Sequence, residues 1–129
     1  MAQTALIIDD NEIDIMIAAK NLEMSGLFAN ILIAKNGQEA IDLIQASVNE
    51  SFPDHIFLDI NMPVLDGWGF LDLFDEIGNI PGEKPKVFML SSSIDEADTD
   101  RANKNPNVTS FISKPLNASK VNQILAQVA

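Results

Sequence analysis

From Asp54 the chain reads Asp54-His55-Ile56-Phe57-Leu58-Asp59-Ile60-Asn61-Met62-Pro63, an apolar run that delivers a carboxylate and then stops at a proline. Ile, Phe and Leu in close succession fit a strand covered on both faces, and the interior of such a strand rarely accepts a charge. Asp59 therefore belongs at the strand's end, where an acid either caps the next element or takes part in chemistry. The pattern recurs. Thr4-Ala5-Leu6-Ile7-Ile8 runs into Asp9-Asp10, Lys86 to Leu90 runs into Ser91-Ser92-Ser93, and Val108 to Ile112 runs into Ser113-Lys114-Pro115. Ile31 to Ala34 supplies one further strand.

Segments of helical period lie between these runs. Glu12 to Ser25 places Ile13, Met16, Ile17 and Met24 at helical spacing as its buried stripe, and Gly26 suits a left-handed C-terminal cap. Asn36-Gly37 has the form of a hairpin turn, but Ala40, Ile41, Leu43, Ile44 and Val48 continue at helical period and predict a helix start there. A helix over Trp68 to Ile77 would bury Phe70, Leu71, Phe74 and Ile77, and Gly78 to Pro85 reads as a loop. Ser93 with Glu96 has the spacing of a capping box, which predicts a helix from about Ile94 to Lys104. Its only apolar residues are Ile94, Ala97 and Ala102, so weak docking is expected. The last helix starts at Asn117 as cap and would bury Val121, Ile124, Leu125 and Val128. Five strands alternating with five helices predict an α/β fold, a doubly wound parallel sheet, with residues 1–129 forming a single domain.

Composition narrows the functions such a domain can have. A formal charge of −11 argues against direct binding of nucleic acid, which needs clustered Lys and Arg to displace counterions, and favours cations or basic partners. The absence of cysteine removes disulfides, thiolate chemistry and cysteine-bound metals. No secretion signal precedes Thr4 and no apolar run approaches the ~18 residues of a membrane span, so the expected location is cytoplasmic.

In open parallel sheets, ligands bind beyond the carboxyl ends of the strands, where the strand order reverses. If the order is 2-1-3-4-5, the first and third strands are neighbours, and Asp9 and Asp10 meet Asp59 at the switch point, with Ser91 and Lys114 on the strands beyond. Two carboxylates ~5 Å apart repel by about 3 kcal/mol at an effective dielectric near 20, and a third adds to this. Such a cluster calls for a cation. Hard oxygen ligands with little caging suit Mg²⁺.

Asp9-Asp10, the run Leu58-Asp59-Ile60-Asn61-Met62-Pro63 with Asp66-Gly67 behind it, Leu90-Ser91 and Phe111 with Lys114-Pro115 resemble the receiver domains of two-component response regulators along the whole chain. The resemblance implies a flavodoxin-like (βα)5 domain that is not an enzyme beyond its own phosphorylation and dephosphorylation, and with no further module in the sequence after the last helix the expectation is that it stands alone, without an output domain. It implies Asp59 as acceptor of a phosphoryl group from a sensor histidine kinase. Asp10 and Asp59 would ligate Mg²⁺ directly, Asn61 through its backbone carbonyl and Asp9 through water. Lys114 would pair with the transferring group, Ser91 would donate its hydroxyl to it, and Ser91 and Phe111 would form a switch. Output would pass through the face of the fourth helix, fifth strand and fifth helix to a downstream protein or a second copy. Ser91 stands where Thr is more usual and Ser92 where a smaller Ala is, and both bear on rates.

Other readings carry less. Asp95-Glu96-Ala97-Asp98 spells a helicase motif, but no phosphate-binding Gly-Lys loop accompanies it, and it suits an acidic first turn. His55, the single histidine, opens a strand at the end remote from Asp59 and reads as structural. Trp68 is either a partner contact or a half-buried helix start. A small Mg²⁺-dependent phosphatase would want an acid where Asn61 stands, and a flavodoxin-like cofactor binder would want Gly, Ser or Thr loops where Asp9 and Asp10 stand. A relay that passes the phosphoryl group to a histidine phosphotransfer protein is the remaining alternative.

Overall fold

The computed structural model describes residues 3–46, 52–60, 62, 65–77, 85–92 and 95–128, without the side chains of Leu125, Gln127 and Val128. The expectations for Val48, the Asn61 carbonyl, Ser93, Ile94, Leu125 and Val128, and most of the 78–85 loop, fall outside these residues. The elements run β1 (Gln3–Ile8), α1 (Glu12–Met24), β2 (Phe28–Ala34), α2 (Gly37–Ala46), β3 (His55–Asp59), α3 (Gly67–Ile77), β4 (Lys86–Ser91), α4 (Glu96–Lys104), β5 (Ser110–Ser113) and α5 (Ala118–Val128). All strand pairs are parallel, in the order β2-β1-β3-β4-β5. The expected doubly wound sheet is therefore the observed one, with β1 and β3 adjacent at the reversal.

Successive side chains of a strand point to opposite faces, so the unbroken apolar runs feed two cores. Leu6, Ile8, Ile56, Leu58, Val87 and Met89 face α2 and α3, where Ile41, Ile44, Phe70, Leu71 and Phe74 meet them. Ala5, Ile7, Phe57, Phe88 and Leu90 face the other layer and pack on Ile15, Ala18 and Leu22 of α1 and on Val121 and Ile124 of α5. The three inner strands β1, β3 and β4 are thus enclosed for most of their length, and their first freedom to carry a charge comes where the flanking helices begin.

Helix termini follow local chemistry. The Asn11 side chain accepts from the N–H groups of Ile13 and Asp14 at 3.0 Å and opens α1, and Gly26, at φ +76°, ends it as expected. The Asn36 side chain accepts the Glu39 N–H at 2.7 Å, so Asn36-Gly37 opens a helix and not a hairpin. Asn117 caps α5 through the Lys120 N–H at 2.9 Å.

Three expectations are corrected. The face that α1 buries is Ile15, Ala18 and Leu22, whereas Ile13, Met16 and Met24 are 68%, 69% and 71% exposed and Ile17 only partly covered. Period alone cannot choose between two apolar stripes on one helix. Asp14, in line with Ala18 and Leu22 at four-residue intervals, chooses here, because it turns toward Lys114. Second, α4 starts at Glu96, two residues later than expected, capped by Asp95, whose carboxylate accepts the Ala97 N–H at 2.9 Å. Asp is as good an N-cap as Ser, and it stands next to the helix. Third, β5 starts at Ser110 and not Val108, because Val108 N–H closes a turn onto the Asn105 carbonyl at 3.1 Å. Within α4 only Ala102 is buried, in line with the expected weak docking, although Arg101 adds an anchor by lying 4.4 Å over the Trp68 ring. Trp68 itself is 6% exposed and is a core residue, not a surface contact.

Candidate functional site

Four strand ends at the carboxyl edge of the sheet build the site. β1 ends at Ile8 and hands Asp9 to a tight connection whose geometry Asp9 itself holds, its Oδ1 accepting the Asn11 N–H at 2.9 Å while its own N–H donates to the Ala34 carbonyl at 3.0 Å. Asp10 follows and is exposed. β3 ends at Asp59, whose carboxylate is buried at the mouth of the sheet. The chain then turns back so closely that Gly67 N–H donates to the Ile60 carbonyl at 2.9 Å. A Cβ on Gly67 would lie 2.8 Å from the Asp59 carbonyl oxygen and 3.0 Å from the Ile60 Cα, so only glycine lets α3 begin there. β4 ends at Ser91, 1% exposed, one residue beyond the Leu90 that pairs with Asp59. The Ser91 carbonyl accepts the Lys114 N–H at 2.8 Å and so fixes where β5 delivers its lysine. The Lys114–Pro115 peptide bond is cis.

One ligand oxygen from each of Asp9, Asp10 and Asp59 lies within 4.8 Å of the others. Lys114 Nζ reaches into this group, 2.9 Å from Asp9 and 3.4 Å from Asp59. Burial alone would push the Lys114 ammonium down, but hydrogen bonds to Asp14 and Asp9 and the charge of Asp59 outweigh it, and the group is held above its ordinary range. Lys114 is thus a permanent cation at neutral pH. Asp9, Asp59 and Lys114 converge as the sequence predicted, with Ser91 at the end of the neighbouring strand and Asp10 at the rim. Phe111 does not join them. It lies half-buried on β5 against the α2–α3 side of the core.

Sequence reasoning missed Asp14, which also holds Lys114 Nζ at 2.9 Å. An acid in a helix first turn complements the dipole and so carries no mark of a second role. The available signal was its place one helical turn after Asp10, on the row that continues through Ala18 and Leu22. Three carboxylates, Asp9, Asp14 and Asp59, hold one ammonium and a fourth, Asp10, lies beside Asp9 and Asp59, and the excess negative charge of hard oxygen donors fits a small divalent cation such as Mg²⁺. The same carboxylates exclude an anionic cofactor unless a cation mediates.

Comparison with known proteins agrees with this geometry. The family described as response regulator receiver domain matches residues 5–126. A hybrid signal transduction histidine kinase L of Dictyostelium discoideum is 30% identical over 127 residues, which cover 93% of this chain but 7% of that kinase. A two-component response regulator from Cytophaga hutchinsonii has a solved structure that superimposes with a TM-score of 0.89 at 30% identity, covering 98% of this chain and 96% of that one. The receiver domain of the histidine kinase CKI1 from Arabidopsis thaliana, solved in complex with Mg²⁺, shares the fold at a TM-score of 0.81 and 22% identity, covering 98% and 92%.

Proposed function

Because the chain belongs to the response regulator receiver domains of two-component signalling, we propose that it accepts a phosphoryl group on Asp59 from a sensor histidine kinase and changes its partner surface in response. The convergence of Asp9, Asp10 and Asp59 within 4.8 Å, with Lys114 3.4 Å from Asp59, carries this reading. Asp59 is a buried acid at the end of the sheet's central strand, and Lys114 is the one cation that reaches it among the described residues.

An Asp59 carboxylate oxygen attacks the phosphorus of a phosphohistidine, the phosphorus–nitrogen bond breaks, and its electron pair returns to the imidazole. The product is an acyl phosphate on Asp59. Lys114 pairs with an oxygen of the transferring group, and Ser91, at the end of the neighbouring strand, donates its hydroxyl to another. Asp10 and Asp59, with Asp9 through water and the Asn61 carbonyl, would hold Mg²⁺. When bound, the metal offsets the charge that builds on the transferring oxygens. The plant kinase receiver solved with Mg²⁺ supports that assignment through shared fold.

For output, the proposal is that Ser91 moves toward the phosphoryl group and Phe111 repacks into the space it leaves, which alters the face formed by α4, β5 and α5. Two observations support this route. Phe111 is only half-buried at rest, and α4 buries Ala102 alone among its described residues. A downstream protein or a second copy would read that face. The hybrid kinase relative favours a second reading, in which the phosphoryl group passes on to a histidine phosphotransfer protein. Among the described residues no helix is long and apolar enough to cross a membrane.

The deciding experiment is intact-mass analysis after incubation with acetyl phosphate and Mg²⁺. One added phosphoryl group is expected in the parent and none in Asp59→Asn. Full labelling of that variant would overturn the assignment.

A further inference from the structure

Lys114 has three N–H bonds to give, and the resting protein directs it toward three carboxylates that differ in exposure. Asp9 and Asp14 each hold Nζ at 2.9 Å, while Asp59 is farther away at 3.4 Å. The Asp9 side chain is 3% exposed and that of Asp59 6%, whereas that of Asp14 is 29% exposed. A buried carboxylate that loses its cation is left uncompensated at large cost, but a partly exposed one can be taken up by water. Asp14 is therefore the partner that Lys114 can leave most easily.

We infer that Asp14 is a positioning residue, a displaceable counter-ion that holds Lys114 on the α1 side of the site until an anionic phosphoryl group on Asp59 draws the ammonium away. The inference rests on Asp59 being the phosphoryl acceptor. In the resting state Asp14 stabilises Lys114, and in the phosphorylated state that pair is given up. Asp14 thus lowers the free energy of the resting form and weakens the hold on a phosphoryl group, since a contact that exists in one state only biases the equilibrium by its own strength. It also ties the first turn of α1 to the loop after β5. The Asn21 side chain strengthens the same junction by donating to the Leu116 carbonyl at 2.9 Å.

Binding of beryllium fluoride in the presence of Mg²⁺ tests this, because the fluoride complex copies the shape and negative charge of a phosphoryl group without turnover. Removing the charge with Asp14→Asn is expected to tighten binding of the complex about three- to tenfold, the range between an exposed ion pair and a charged hydrogen bond. Asp14→Ser serves as a second neutral variant, and Asp14→Glu, which restores the charge, should return affinity to the parent's. A purely structural role would lower thermal stability in the neutral variants without tightening binding. Unchanged or weaker binding in both neutral variants, with the parent normal, would overturn the inference alone. A parent that takes up no beryllium fluoride, or an Asp59→Asn variant that still does, would overturn the acceptor reading and this inference with it.

Discussion

β3 starts and finishes on a buried polar side chain, His55 at one end and Asp59 at the other, four residues apart and alike in exposure at 5% each. Their surroundings are opposite. Asp59 shares its pocket with two other acids and a lysine. His55 sits among rings, with Phe28 edge-on at 5.3 Å and Phe88 stacked at 6.0 Å, and neither of its nitrogens has a hydrogen-bond partner among the described residues. Phe57 continues the cluster, stacked on Phe88 at 5.4 Å. Charge at the carboxyl end is opposed by charge that can rearrange. At the amino end any charge would be stranded in an apolar medium. One strand therefore separates chemistry from cohesion, and each end should answer to a different kind of perturbation.

The sharpest contrast comes from one substitution at each end. Asp59→Asn should remove all phosphoryl labelling while leaving the fold in place, because the amide keeps the shape and relieves repulsion with Asp9 and Asp10. Phe88→Ala should do the reverse. Truncating a fully buried ring costs about 3–5 kcal/mol, read from urea denaturation, yet the folded fraction should label as the parent does. If Phe88→Ala abolished labelling of folded protein, the two ends would not be separable.

This division explains what could be read in advance. The sheet was legible because its strands are apolar runs, four of them with reactive ends, and a buried parallel strand leaves little other choice of sequence. Asp9, Asp59, Ser91 and Lys114 were legible for the same reason, since a strand end is a place that sequence marks. Residues placed by helix rotation were not. Ile13, Met16 and Met24 form as good a stripe as Ile15, Ala18 and Leu22, and the choice depends on the Asp14–Lys114 pair, which joins residues far apart in the chain. Arg101 over Trp68 was missed likewise, because nothing local in α4 announces a ring on α3. The start of α4 slipped to Glu96, with Asp95 as its cap, because Ser and Asp cap equally well and the two lie close together.

A smaller effect tests whether the carboxyl end is held apart by its own charge. Mg²⁺ at ~100 times its dissociation constant should stabilise the parent by about 2.7 kcal/mol through mass action. Asp10→Ala should lose most of that gain, and in metal-free buffer it should be as stable as the parent or more so. Melting curves with and without Mg²⁺ decide, and an undiminished gain in the variant would remove Asp10 from the ligand set.

The amino end should show the smallest effect, and one that depends on pH. Burial holds the His55 imidazole below its ordinary pKa of 6.5; the nearby Asp54 carboxylate pulls it up less strongly, and Lys86 pushes it further down. The folded protein therefore keeps His55 neutral at a pH where the unfolded chain has already bound a proton. Stability from this source is complete above pH 6.5 and falls as the pH drops below it, because the unfolded state then holds more protons than the native one. The slope is at most about 1.4 kcal/mol per pH unit for a single proton. The Asp54 carboxylate accepts the Thr4 N–H at 2.8 Å and makes no hydrogen bond to either His55 nitrogen. Replacing the ring by an apolar side chain of similar volume, His55→Leu, removes the proton-binding group from both states. Urea denaturation at pH 7 and pH 5 should then show a smaller loss of stability on acidification in the variant than in the parent. An equal loss in both would mean that the acid sensitivity comes from the carboxylates at the other end of the strand.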